Sequence, residues 1–164
     1  MFENLINTLE LWGDIIASEY KTKLTNEGIS TTGKLFDSVV RLPVSVNGTT
    51  YEVSLQLEKY WEQVEYGRGK TVNGGTGEVR KNILNWIKKK PVLPRPMENG
   101  KLPTEEQLAY LISRKIHREG YRGKRPLGRT LDELREDIKN DIAMALGKDL
   151  SIEVMEILKE IDSK

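Results

Sequence analysis

The sequence predicts an α+β domain, in which a small antiparallel sheet with a central β-hairpin packs against N-terminal and long C-terminal helices. Three observations lead to it. Apolar residues recur at helical steps near the start of the chain, they do so again towards its end, and two alternating runs between them flank an Asn-Gly pair. A length of 164 residues suits one domain, so 1–164 is read as a single unit.

In the first helix, Phe2, Leu5, Ile6, Leu9, Trp12, Ile16 and Tyr20 recur at steps of three and four, and Asn26 and Gly28 mark its end. Val40, Leu42, Val44 and Val46 then alternate, Asn47-Gly48 offers the residues of a type I′ turn, and Tyr51, Val53, Leu55 and Leu57 alternate again. Pro43 has no N–H for a ladder, which puts the first strand at an edge or at a bulge. After Tyr60 and Trp61 come Glu65-Tyr66-Gly67-Arg68-Gly69 and a glycine-rich stretch, read as a flexible loop over about 67–77. Helical spacing returns through Val79, Ile83, Trp86 and Ile87, and Lys88, Lys89 and Lys90 suit the negative end of that helix before Pro91 stops it.

Pro94, Pro96 and Pro103 make about 91–103 an irregular arm that wraps the surface or reaches towards a neighbour. Thr104 and Gln107 form a capping box for a helix that buries Leu108, Leu111, Ile112 and Ile116 and ends near Gly120. Beyond a basic loop, Thr130 and Glu133 form a second capping box. Leu131, Leu134, Ile138, Ile142 and Leu146 then share one face of a longer helix that stops near Gly147. Leu150, Val154, Ile157, Leu158 and Ile161 fit a short final helix, with a strand through Ile152 and Val154 as the alternative.

Composition narrows the function classes. Lys and Arg number 26 against 25 Asp and Glu, so no global charge draws the chain to nucleic acid or membrane, and polyanion contact has to be local. The absence of cysteine removes disulfides, thiolate metal sites and cysteine nucleophiles, and makes a reducing cytoplasm the expected setting. Glu3, Glu10 and Asp14 interrupt the first apolar stretch, so neither a signal peptide nor a membrane span is expected there.

Candidate chemistry is sparse. Gly67-Arg68-Gly69-Lys70-Thr71 fails as a phosphate loop because Val64 stands where the first glycine is required. The dinucleotide pattern fails too, since residue 72 is valine. His117 is the only histidine and sits among basic neighbours, which reads as a partly exposed helix residue without a catalytic role. Asp132, Glu133, Glu136, Asp137 and Asp141 alternate with Arg135 and Lys139, as a solvated face does. No cofactor or metal site is expected. The informative feature is basic: Arg114, Lys115, Arg118, Arg122, Lys124, Arg125 and Arg129 stand against Glu119 alone between residues 114 and 129, a local charge of +6. Such a loop suits either a phosphate backbone or an acidic patch on a neighbouring subunit.

The order of motifs carries a resemblance. A helical start and a hairpin precede Tyr60-Trp61-Glu62-Gln63-Val64-Glu65-Tyr66-Gly67-Arg68-Gly69. A helix around Trp86, Leu108-Ala109-Tyr110-Leu111-Ile112, Gly123-Lys124-Arg125-Pro126-Leu127 and a long last helix follow. This order resembles the tail-completion and neck proteins of long-tailed bacteriophages, the head-tail joining or minor tail components. In that family an aromatic-rich strand ends in a Glu-aromatic-Gly-x-Gly turn, matched by Glu65, Tyr66, Gly67 and Gly69, and an aromatic-Pro segment introduces the last helix, a place taken by Arg125-Pro126-Leu127. Leu127 stands where the family usually has phenylalanine, and the stretch from about 78 to 119 is longer than in compact members.

The resemblance implies a virion protein assembled in the host cytoplasm. It would be a homo-oligomeric ring of six or twelve copies between the portal and the tail, touching adaptor or tail-tube proteins and lining the DNA passage. On that reading Tyr60, Trp61, Glu65, Tyr66, Gly67 and Gly69 form a sheet-end turn at an interface, and the basic residues from Arg114 to Arg129 contact DNA or a neighbour. Two other readings compete: a stand-alone, non-specific nucleic-acid-binding module using the same basic stretch, and a metal-dependent nuclease built on helical carboxylates. The lack of a defensible active site favours the non-enzymatic ring subunit.

Overall fold

The computed structural model describes residues 2–29, 33–71, 77–90, 92–98 and 100–162, and the chain is an α+β protein dominated by helix. In chain order the elements are α1 (Glu3–Asn26), α2 (Lys34–Ser38), β1 (Val40–Arg41), β2 (Ser45–Asn47), β3 (Thr50–Glu52), β4 (Leu55–Gln56), α3 (Trp61–Tyr66), β5 (Gly67–Arg68), α4 (Glu78–Lys89), α5 (Glu105–Glu119), β6 (Tyr121–Arg122) and α6 (Pro126–Asp162). Among the described residues the strands form three antiparallel ladders of two, in place of one continuous sheet.

Helix α1 buries Leu5, Trp12, Ala17, Tyr20 and Leu24 on the stripe its sequence marks. It ends where expected. The Gly28 N–H donates to Thr25 O and the Ile29 N–H to Leu24 O, with Gly28 at φ +58°, a Schellman stop whose apolar clasp is Ile29 against the core. That core gathers Ala17, Tyr20, Leu24, Leu35 and Val39, with Leu55, Leu57, Tyr60, Trp61, Val64 and Leu127 packed around it. It therefore sits where the second half of α1 meets α2, the hairpin base, α3 and the first turn of α6. Each fully buried leucine there contributes about 1.5–3 kcal/mol.

The hairpin is present, with β1 on β4 and β2 on β3 as successive parts of one ribbon. The ladder breaks at Leu42–Val44, the stretch that holds Pro43, and the Leu42 N–H still reaches Ser54 O at 2.8 Å. Its turn differs from the expected one. Asn47 pairs with Thr50, so Gly48 and Thr49 are the central residues. Only Gly48 has positive φ, the pattern of a type II′ turn with glycine first.

Other expectations change as well. The segment after Tyr60 is the short helix α3 and not a sheet-end turn, because Tyr60 opens a hydrogen-bonded turn to Gln63 and Val64 that β4 does not continue into. The flexible loop is tied down at its start: Gly67 and Arg68 pair with Arg122 and Tyr121, and Thr71 donates its N–H to His117 O, while residues 72–76 lie outside the described residues. Arg114, Lys115 and Arg118 lie in α5, which ends at Glu119 beside the expected stop at Gly120, and the basic loop that follows is shorter than expected because Arg129 already belongs to α6. The second capping box does not form. Helix α6 begins one turn earlier at Pro126, whose missing N–H suits the first helical position, and Thr130 is buried inside it with its hydroxyl donated to Pro126 O.

Gly147 does not stop that helix either. The expected long and short helices are one, 37 residues from Pro126 to Asp162. Leu131, expected on the buried face, is exposed. Helices α1 and α6 run side by side, joined by Lys23 to Glu133 near one end, the Trp12 Nε1–H to Asp141 in the middle and Asn4 and Leu5 to Asp149 near the other. Helices α4 and α5 form a second layer. Thr104 and Gln107 make the expected capping box, and Ala109 and Ser113 are its buried α5 residues, while Leu111 is exposed.

Candidate functional site

The two motif segments singled out in the sequence, more than fifty residues apart, meet in one knot. Strand β5 leaves the end of α3 and pairs with β6, and the N–H groups of Lys124 and Arg125 donate to Val64 O and Glu65 O. At the centre lies Glu65. Its carboxylate is 3% exposed and accepts the N–H of Leu127 at 3.0 Å and of Gly128 at 2.8 Å. Those are two of the orphan donors in the first turn of α6, so a side chain from a distant element caps the longest helix and meets its positive end with negative charge.

The backbones come close enough to demand glycine. A Cβ on Gly67, at φ +87°, would strike the Tyr121 carbonyl, and one on Gly123 would strike Glu65 O. Arg125, at φ +51°, is the residue from which α6 departs. Tyr60 and Trp61 face the core side of this knot, whereas Tyr66 is exposed and leans on Trp61 with ring centroids 6.1 Å apart. Gly69 is exposed and takes no part in the pairing. Tyr20 is fully buried beneath. Burial first, then the charge of Glu65 and the proximity of Tyr60, push its hydroxyl up to about 12, and that hydroxyl has no hydrogen-bond partner among the described residues.

The basic residues are not a single free patch. Arg129 is bound to the Glu27 carboxylate and, through Nε, to Lys124 O, and Lys124 reaches Glu27 O. Arg125 lies 3.6 Å from Asp132, and Arg118 and Lys115 both approach Glu119. Glu119 is held below its ordinary value chiefly by the hydrogen bond from Arg118. Arg114 and Arg122 are exposed with no ion pair among the described residues. Five of the seven are thus engaged within the chain, and Lys124, Arg125 and Arg129 help to hold the knot.

Two surfaces escaped sequence reasoning. From Leu150 to Asp162 every residue of α6 is exposed, including Leu150, Ile152, Val154, Met155, Ile157, Leu158 and Ile161 at 46–62%. The apolar spacing was legible. Its exposure was not, because spacing reports a face and not what meets it. The second is a groove of about 450 Å³ between the end of α4, the proline-rich arm and the start of α5, floored by Ile87, Val92, Pro94, Pro103 and Leu108 and edged by Lys88, Lys89 and Lys90. Leu93 on its arm is 95% exposed and Leu102 is exposed as well.

Among the described residues no cluster of three or more His, Cys, Asp or Glu is arranged to hold a metal ion, and no helix is long and apolar enough to cross a membrane. No protein-family model matches the chain, and neither the curated proteins nor the solved structures hold a match to it.

Proposed function

We propose that this protein is a non-enzymatic structural subunit of a long-tailed phage virion. In this reading it forms a ring of six or twelve copies in the neck, between the portal and the tail, with adaptor or tail-tube proteins as its other neighbours. The observation that carries the reading is the uncovered apolar helix from Leu150 to Asp162. A contiguous apolar surface of this kind on a monomer marks a site where another chain binds.

Two features support it. The stretches that carry the family resemblance, Glu65 to Gly69 and Arg125 to Leu127, are packed against one another as a structural unit. Most of the basic residues between 114 and 129 are committed to intramolecular contacts, which favours assembly over a dedicated nucleic-acid module. Arg114 and Arg122 remain for non-specific contact with DNA, which weakens steeply as salt rises.

The test is negative-stain imaging and light scattering of the purified chain at low and high salt, with and without duplex DNA. Rings of six or twelve copies are the expected result. A monomer that binds DNA in a salt-sensitive manner would replace this reading with the nucleic-acid module.

A further inference from the structure

The uncovered helix has a definite chemistry. Leu150, Val154, Ile157, Leu158 and Ile161 fall on one stripe, at steps of three and four, and Glu153, Glu156 and Glu160 form a second stripe beside it. The segment from Leu150 to Asp162 carries four acidic residues and one lysine, a net charge of −3. The groove beside the proline-rich arm has the opposite character: among the described residues it has an apolar floor, three lysines at its edge and one acidic side chain, Glu105, in its lining, with Leu93 and Leu102 exposed next to it.

These surfaces lie at opposite ends of the molecule. Lys90 Nζ donates to Gly28 O at 2.6 Å, which places the groove at the far end of α1. That end is joined to the start of α6 by Lys124 and Arg129, both bound to Glu27. Asp149 holds the other end of α1, and the rest of α6 runs on past it for thirteen residues, roughly 20 Å. A continuous helix of 37 residues, roughly 55 Å, therefore separates the acidic apolar tip from the basic apolar groove of its own chain.

We infer that the tip of α6, from Leu150 to Asp162, docks into the groove between α4, the proline-rich arm and α5 of a second copy of this chain. The apolar stripe covers Val92, Leu108 and the exposed Leu93, and the acidic stripe meets Lys88 and Lys89. Each copy gives one tip and receives one, a head-to-tail contact that closes into a ring when its rotation divides a full turn. The inference deepens the ring reading by naming the contact between neighbours.

The test uses the full chain, which has no cysteine of its own. Leu93→Cys and Ile157→Cys chains are mixed and joined by a flexible bismaleimide, which tolerates small differences in register. The mixed product is expected to exceed either self-linked product by about ten-fold, and to fall by about ten-fold when the Leu93→Cys chain also carries Lys88→Glu and Lys89→Glu. A Glu136→Cys chain, exposed midway along α6, is the control partner and is expected not to link preferentially. Equal linking of all pairs, or none at millimolar protein, overturns the docking. The mass of the wild-type protein separates the two readings: rings without the preferred link remove the docking alone, and the preferred link in open chains or dimers upholds the docking and removes the ring.

Discussion

Glu65 and Asp149 act alike on two helices. Each is a buried carboxylate from a distant element that accepts two backbone N–H groups in a helical first turn, Leu127 and Gly128 for Glu65, Asn4 and Leu5 for Asp149. Glu65→Ala strands two half-buried donors and should cost on the order of 2 kcal/mol in urea denaturation. Glu62→Ala, on the exposed face of α3, should stay within about 0.5 kcal/mol. Asp149 adds a pH signature. Burial raises its carboxyl, but hydrogen bonds from the Asn4 side chain and from the N–H groups of Leu5 and Asn4 outweigh that and hold it below its ordinary value of 3.8. A depressed folded value means that the unfolded chain takes up this proton first as pH falls. The contribution is thus complete above about pH 4 and lost below it, as pH drops through the folded value, so Asp149→Asn should flatten the stability curve in that acid range. Tyr20→Phe removes a buried hydroxyl without a partner and should leave stability unchanged or raise it by up to about 1 kcal/mol. The sequence marked Glu65 as a turn residue on resemblance. Its capping role was unreadable, because its partners lie more than sixty residues away and no local spacing reports them.

At the scale of elements, local signals were right where local chemistry decides. The Gly28 stop, the Thr104 capping box and the hairpin about Gly48 each follow from residues within one turn of themselves. Signals failed where a remote contact overrides them. Thr130 and Glu133 look like a cap, yet Glu65 starts the helix at Pro126, and Gly147 looks like a stop, yet Asp149 anchors the next turn to α1. Gly147→Ala distinguishes one helix from two. A Cβ there meets nothing within 4 Å, so alanine within a continuous helix should raise stability by up to about 1 kcal/mol, readable in thermal unfolding. At a left-handed helix end the same change would destabilise the protein.

The whole molecule is a helical pair with a knot and a basic groove at one end and an uncovered acidic tip at the other. The fold class could be read from the sequence because helical and alternating periods are intrinsic to the chain. The exposed tip of α6 and the groove could not, since exposure is a property of the packed structure. That exposure separates folding from the proposed assembly. Ile157→Lys with Leu158→Lys alters side chains already in solvent, so the unfolding midpoint should hardly move, while any self-association through the tip should be lost. The most direct measurement is sedimentation velocity of the full chain over a rising concentration series, with this double variant alongside. A closed species of six or twelve copies for the wild type, with the variant folded but monomeric, is the predicted result. A wild-type chain that stays monomeric throughout, or a variant that assembles equally well, would contradict the account.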